Sequence, residues 1–323
     1  MKTALWGVGN HAKKNLIPAL DQADNIEFIG VFTRNKDSIS QILSLYDCKT
    51  WNSPEEMLAD SELETIFLST PPGLHFGNGI QVLNSGKNLI CEKPITINYE
   101  ETKGLLNSAI KNNLFLFEAY MFLYHPHFLR IKQIIQETLD DLNEVHITFE
   151  LPELESPGFR FNNDLGGSCL YDVGSYTVLT LIELFKDEKI VLDNVSITED
   201  KKNNIDSSGS ASFLINDRIK STLKWSYNSK YVNEIKIITS EKQYYSEKIF
   251  SKEADYRPTI EIINRGSVFR EHLEARNHFV SMLESLTKIT ASEEKRNFEF
   301  QKIEELASIL NEMKSNKKIE KEK

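Results

Sequence analysis

The chain has 323 residues, 40% of them hydrophobic and 27% charged, with a formal net charge of −10. That length supports a large buried core and suggests two domains. The acidic balance argues against nucleic acid or an anionic membrane surface as the main partner, so an anionic ligand would need a local basic pocket.

From residue 2 to about 118, short apolar runs alternate with amphipathic stretches, the pattern of βαβ units around a parallel sheet. Strands are predicted at Thr3 to Trp6, Ile26 to Phe32, Lys49 to Trp51, Thr65 to Ser69, Asn88 to Cys91 and Leu114 to Phe117. One helix opens at Ser53-Pro54-Glu55-Glu56, where serine caps, proline fits the first turn and glutamate closes a capping box. Another opens at Asn98, with Glu100 and Glu101 facing the positive end of the helix dipole. After about residue 120 a helix is followed by strands of alternating polarity. Asn143 to Glu150, Val195 to Thr198, Ala211 to Ile215, Lys220 to Trp225 and Asn233 to Thr239 read as half-buried antiparallel strands. Two helices, about Val268 to Thr287 and Phe298 to Met313, precede a frayed Lys/Glu tail. The expected architecture is α/β: a Rossmann domain with a doubly wound parallel sheet over residues 1–120, then an α+β domain with a large open, mostly antiparallel sheet over 121–323. The last helix, about 298–313, is a candidate to pack back on the first domain.

Cys48, Cys91 and Cys169 lack the spacing of a zinc site and the even count of a disulfide framework, so they read as reduced thiols and no metal is expected. No stretch is long and apolar enough to span a bilayer, and Met1 to Trp6 runs straight into a strand. A cytoplasmic location with no membrane partner is the expectation.

Gly7-Val8-Gly9-Asn10-His11-Ala12 follows the first strand and opens the first helix, the context in which a G-x-G-x-x-G/A match is credible. The first glycine allows the tight turn, the second lets pyrophosphate approach the backbone, and Ala12 permits close packing of helix on strand. The second strand ends in Thr33-Arg34-Asn35-Lys36 rather than in the acidic residue usual for NAD. Hydroxyl, guanidinium and ammonium groups suit a 2′-phosphate, which makes NADP the expected cofactor and NAD the alternative. Ile90-Cys91-Glu92-Lys93-Pro94 places a lysine at the carboxyl end of a strand, where ligands of open α/β sheets sit. The Lys93-Pro94 bond is a candidate cis peptide.

Ser69-Thr70-Pro71-Pro72-Gly73-Leu74-His75, Glu92-Lys93-Pro94 and Gly166-Gly167-Ser168-Cys169-Leu170-Tyr171-Asp172-Val173-Gly174-Ser175-Tyr176 together resemble the Gfo/Idh/MocA family of oxidoreductases. With Phe159-Arg160-Phe161 they look most like its dihydrodiol dehydrogenase and glucose-fructose oxidoreductase branch. The resemblance covers residues 2 to about 185. It implies hydride transfer between NAD(P) and a sugar, polyol or related alcohol, and a second-domain sheet that builds homodimers or homotetramers. Lys93 would touch the nicotinamide ribose and the substrate oxygen, and Asp172 and Tyr176 would face it across a cleft. Thr70, Pro71, His75 and Glu92 would lie on the nicotinamide side, His75 bonding across the cleft or packing in the first helical turn.

Asp172 and Tyr176 are four residues apart and share a helical face. A tyrosine, with a reference pKa of about 10, becomes a useful acid or base only where a cation stabilises its phenolate. Lys93 is the candidate cation, Tyr176 the proton donor or acceptor, and Asp172 the holder of a substrate hydroxyl or of the lysine. Tyr120, Tyr124, His125 and Arg160 read equally as pocket residues or as core and loop. In Glu118-Ala119-Tyr120-Met121-Phe122-Leu123 a leucine stands where the family often has arginine, which argues against a strongly anionic substrate. The rival readings are a non-catalytic NAD(P) sensor and an enzyme that keeps and recycles its nicotinamide.

Overall fold

The alternation in the first 118 residues folds as a six-stranded parallel sheet. A computed structural model describes every residue except 154–157, 228 and 321–323. The chain forms two units, Met1–Met121 with His278–Glu305, and Phe122–Asn277 with Leu306–Lys323.

In the first unit β1 (Lys2–Trp6), β2 (Glu27–Phe32), β3 (Lys49–Thr50), β4 (Thr65–Leu68), β5 (Asn88–Cys91) and β6 (Leu116–Glu118) lie in the order β3-β2-β1-β4-β5-β6. Every pairing is parallel. The order reverses beside β1, and such a switch point opens a crevice at the carboxyl ends of the strands. β4 is buried along its whole length, as expected of a strand covered on both faces. Between the strands run α1 (Ile17–Gln22), α2 (Lys36–Leu43), α3 (Pro54–Ala59), α4 (His75–Asn84) and α5 (Tyr99–Lys111), with a π-helical turn at Ala12–Leu16 leading into α1. Caps fall where the sequence places them. Ser53 Oγ accepts from Glu56 N at 3.1 Å, although the Glu56 carboxylate returns to Asn52 N at 2.8 Å rather than to the serine. Asn98 Oδ1 accepts from Glu101 N at 3.0 Å and starts α5.

The second unit begins with α6 (Pro126–Thr138), β7 (Leu142–Glu150) and α7 (Ser175–Leu184). Then follow β8 (Ile190–Asp200), β9 (Ile205–Ile215), β10 (Ile219–Ser226), β11 (Val232–Thr239), β12 (Lys242–Glu247), β13 (Thr259–Asn264) and β14 (Ser267–His272). α8 (His278–Thr290) belongs to the first unit, α9 (Glu293–Asn316) spans the second exchange of units, and β15 (Lys318–Glu320) ends the described chain. The sheet runs β14-β13-β12-β11-β7-β10-β9-β8-β15 and is antiparallel except at β7/β10 and β8/β15. Along β7, Leu142, Val145, Ile147 and Phe149 are buried, and along β11 Asn233, Ile235, Ile237 and Thr239 are, so one face carries the core. α7 is buried on every side, which explains why its sequence lacks a polar stripe.

Two expectations are corrected. The helix predicted from Val268 starts ten residues later, because Val268 to His272 pair with β13 through a hairpin. Arg265 and Gly266 at its tip both have positive φ, 48° and 83°, which suits a type I′ turn. The tail after α9 is also not frayed at its start: Lys318–Glu320 adds a parallel strand to β8.

Candidate functional site

In the first unit the glycine loop joins β1 to the first helix. Gly7 has φ 103° and donates its N–H to Phe32 O at 2.9 Å, and a Cβ there would meet Ser69 O at 2.5 Å, so no other residue fits. At Gly9 a Cβ would meet nothing within 4 Å. The backbone there is open, as a pyrophosphate lying on the helix N-terminus requires. Asn10 and His11 are exposed and Ala12 is fully buried. The His11 ring sits between Asn15 Nδ2 at 3.0 Å and Glu92 Oε1 at 3.4 Å, edge-on to Phe279. Thr33 and the exposed Arg34 leave the end of β2, and Asn35 caps α2.

Thr70 and Pro71 leave β4, and His75, at the first position of α4, is fully buried. Its Nδ1 lies 2.9 Å from Pro94 O and its Nε2 2.7 Å from Thr70 O, so the ring spans two loops of its own unit. Burial pushes its pKa down, although both nitrogens face carbonyl oxygens and only an imidazolium could donate to both. Glu92 and Lys93 follow β5, partly exposed, and the Lys93-Pro94 bond is cis. Across the sheet Cys91 pairs with Glu118 at the end of β6. Glu118 is 4% exposed, accepts from Ile95 N at 2.7 Å, and burial pushes its pKa up to about 7. Sequence reasoning noted this glutamate only as part of a motif, since neither its burial nor its bond is local.

In the second unit a π-helical turn, Leu170–Gly174, runs into α7 and sets Asp172 one turn before Tyr176. Both are buried, at 3% and 5% exposure. Asp172 Oδ2 lies 2.6 Å from Arg160 Nε and 3.0 Å from Tyr227 Oη. The carboxylate raises the pKa of Arg160, with smaller contributions from Tyr227 and Tyr176, so the guanidinium is within electrostatic reach of the Tyr176 phenol. The Tyr176 ring is boxed by Phe122, Phe149 and Phe250, with centroids 5.5, 5.3 and 5.5 Å away. Under the turn, Trp225 fills the space that Gly174 and Gly209 leave, where a Cβ would approach its ring to 3.0 and 2.4 Å. Asp206 of β9 fastens the start of the turn, accepting from Ser168 Oγ and Leu170 N, each at 2.5 Å. Tyr227 and Asp206 carry no local sequence signal and were missed.

The remaining pocket candidates separate. Tyr120 is buried in the first unit, and Tyr124 is half-buried in the second. His125 is fully buried and caps α6, its Nδ1 accepting from His127 N at 3.0 Å. Burial pushes its pKa down to about 4, with the nearby Lys252 adding to the effect. Among the described residues no cluster of His, Cys, Asp and Glu could hold a metal, and no helix is long and apolar enough to cross a membrane.

Comparison with known proteins gives the family of the chain. Residues 1–120 match the model of the oxidoreductase family with an NAD-binding Rossmann fold, Gfo/Idh/MocA, and residues 128–245 match the family's C-terminal domain. The chain belongs to the Gfo/Idh/MocA oxidoreductases. Among relatives, a dTDP-3,4-didehydro-2,6-dideoxy-alpha-D-glucose 3-reductase of Saccharopolyspora spinosa is 23% identical over 83% of this chain and 81% of its own. A trans-1,2-dihydrobenzene-1,2-diol dehydrogenase of Xenopus laevis is 27% identical over 54% of this chain and 52% of its own. The same Gfo/Idh/MocA fold is found in a 3-ketoreductase from Actinomadura kijaniata crystallised with NADP and TDP-benzene. It superposes with a TM-score of 0.93 at 18% identity, over 100% of this chain and 99% of that one. Variants of that enzyme solved with the same ligands replace a tyrosine by phenylalanine and a lysine by alanine or glutamate.

Proposed function

We propose that this oxidoreductase prefers NADP and moves hydride between nicotinamide and a sugar, polyol or diol-type hydroxyl or carbonyl. The observation that carries the reading is Tyr176, a phenol set in an aromatic box one helical turn after a buried, ion-paired carboxylate. The nicotinamide, when bound, supplies or accepts the hydride. Gly7, Gly9, Asn10, His11 and Ala12 cradle its pyrophosphate. Thr33 and Arg34 receive the 2′-phosphate, and Thr70, Pro71, Glu92 and Lys93 border the nicotinamide. Tyr176 gives a proton to the oxygen as a carbonyl is reduced and takes one from the hydroxyl in the reverse direction. Lys93 orients that oxygen and, as an ammonium, favours the phenolate. Asp172 holds Arg160 in place beside the phenol, and Tyr124 and Arg160 are the residues assigned to the substrate side.

The Actinomadura enzyme has been solved with one tyrosine and one lysine substituted, the two residue types that this reading pairs at Tyr176 and Lys93. Relatives named as dTDP-sugar 3-reductases extend the candidate substrates to keto-sugars carried on a nucleotide, whose diphosphate runs against the neutral residue at Leu123 and would need another basic group. An oligomer formed through the exposed face of the second sheet belongs to the same proposal. The test is NADPH fluorescence, its loss from NADPH or its gain from NADP⁺, against a panel of free sugars, inositols, diols and nucleotide-linked keto-sugars. Turnover with at least one member, lost in Tyr176→Phe with cofactor binding kept, is expected. Cofactor binding without turnover across the panel contradicts the reading.

A further inference from the structure

Two buried ionisable side chains grip one peptide group beside Lys93. The Pro94–Ile95 amide has its carbonyl 2.9 Å from His75 Nδ1 and its N–H 2.7 Å from Glu118 Oε1. The two grips come from opposite sides in sequence, His75 from α4 and Glu118 from the end of β6. β5 itself is fixed to β6 where Cys91 pairs with Glu118 and Ala119 N donates to Cys91 O at 2.8 Å. Thus the residue after Lys93 is held at both atoms of its following peptide, and the lysine backbone has little freedom to drift.

We infer that Glu118 is a positioning residue for Lys93, holding the lysine-bearing turn through the Pro94–Ile95 amide and setting the charge that the ammonium feels from its own unit. The inference rests on the reading of Lys93 as the lysine at the nicotinamide. The groups that face the Glu118 carboxyl are Lys93 and the Cys91 thiol from β5 and its following turn, and Glu299 and Lys302 from α9. Glu299 and Lys302 pair with each other at 2.5 Å and are both nearly buried, at 5% and 6% exposure. Two cations thus act on the carboxyl, Lys302 more strongly than Lys93, and Lys93 is the one carried by the turn that Glu118 holds through Ile95 N. A buried carboxyl among such partners has its ionisation displaced toward neutrality, and burial pushes the pKa of Glu118 up to about 7. Above that pH the ammonium faces a carboxylate, and below it a neutral acid that still accepts the Ile95 N–H.

The coupling is read without any substrate. In full-length protein carrying [¹³Cδ]glutamate, the Glu118 resonance, assigned from its loss in Glu118→Gln, is titrated in the parent chain and in Lys93→Met. A midpoint near 7 that moves up by about half a unit or more in Lys93→Met is expected, because the ammonium favours the carboxylate. An unmoved midpoint overturns the inference and leaves the proposed activity untouched. On the panel substrate that turns over, Glu118→Gln keeps the acceptor and loses the charge. It is expected to retain NADPH binding within about twofold while losing the rise in kcat through pH 7, and Glu118→Ala to lose kcat about tenfold or more at every pH. A Glu118→Gln profile that keeps the same rise overturns the inference, whereas full turnover in Lys93→Met overturns the activity assigned to the lysine instead.

Discussion

Arg160 Nε lies 2.6 Å from Asp172 Oδ2, and the carboxylate that it meets is only 3% exposed. The pair keeps a guanidinium within electrostatic reach of Tyr176 and gives Asp172, proposed to hold a substrate hydroxyl or the lysine, a charged partner within its own unit. Removing the arginine strands a buried carboxylate, whereas removing both charges does not. Because the guanidinium is 30% exposed, the usual penalty is discounted. Arg160→Met is expected to cost about 1 to 3 kcal/mol, and Asp172→Asn added to it to recover much of that loss. Urea unfolding of the single and double variants checks this, and strictly additive losses would remove the coupling.

The two glycines of the nucleotide loop should fail differently. Gly7→Ala drives a methyl onto the Ser69 carbonyl from a left-handed backbone and should lower the melting temperature with or without cofactor. Gly9→Ala meets no atom of the protein within 4 Å, so its melting temperature should stay near the parent's while NADPH affinity falls about tenfold or more. Melting curves and fluorescence titrations separate the two.

The proposed preference for NADP assigns the 2′-phosphate to Arg34, which is exposed at the end of β2. Arg34→Ala should weaken NADPH by about tenfold and leave NADH within about threefold, because only the former carries the 2′-phosphate. Equal losses for both dinucleotides would assign Arg34 to the common part of the cofactor.

Much of this site could be read from the sequence because its signals are local. Gly7, Gly9 and Ala12 sit within one strand–helix turn, and the spacing of Asp172 and Tyr176 is a single helical turn. What could not be read depends on contacts far apart in the chain. Arg160 was visible as a charge but not as the partner of Asp172, and Tyr227 and Asp206 reach the turn from β10's end and from β9. His75 reads from sequence only as a residue of the loop after β4, and its bonds to Thr70 O and Pro94 O join two loops that are distant in the chain. The segment Val268 to His272 carries apolar residues that suit helix or strand, and only the Arg265-Gly266 turn distinguishes them.

Glu118 makes stability depend on pH with a definite sign. Its pKa is raised from 4.5 to about 7 on folding, so between those values the folded chain holds a proton that the unfolded chain has released. Stability therefore falls as pH rises from about 4.5 to about 7, by about 3 kcal/mol in total from this group. Denaturant unfolding across that window should show the stability of the parent minus that of Glu118→Gln falling by about that amount as pH rises, because only the parent carries the titrating carboxyl. A constant difference would mean that the carboxyl ionises normally.

The central claim is that Lys93 and Tyr176 together move the proton that accompanies hydride transfer. The most direct measurement is single-turnover oxidation of bound NADPH by the panel substrate in Lys93→Met, alongside an NADPH binding titration. Binding retained with the hydride-transfer rate reduced about a thousandfold or more is the predicted result. A rate within about threefold of the parent's, with binding intact, would contradict it.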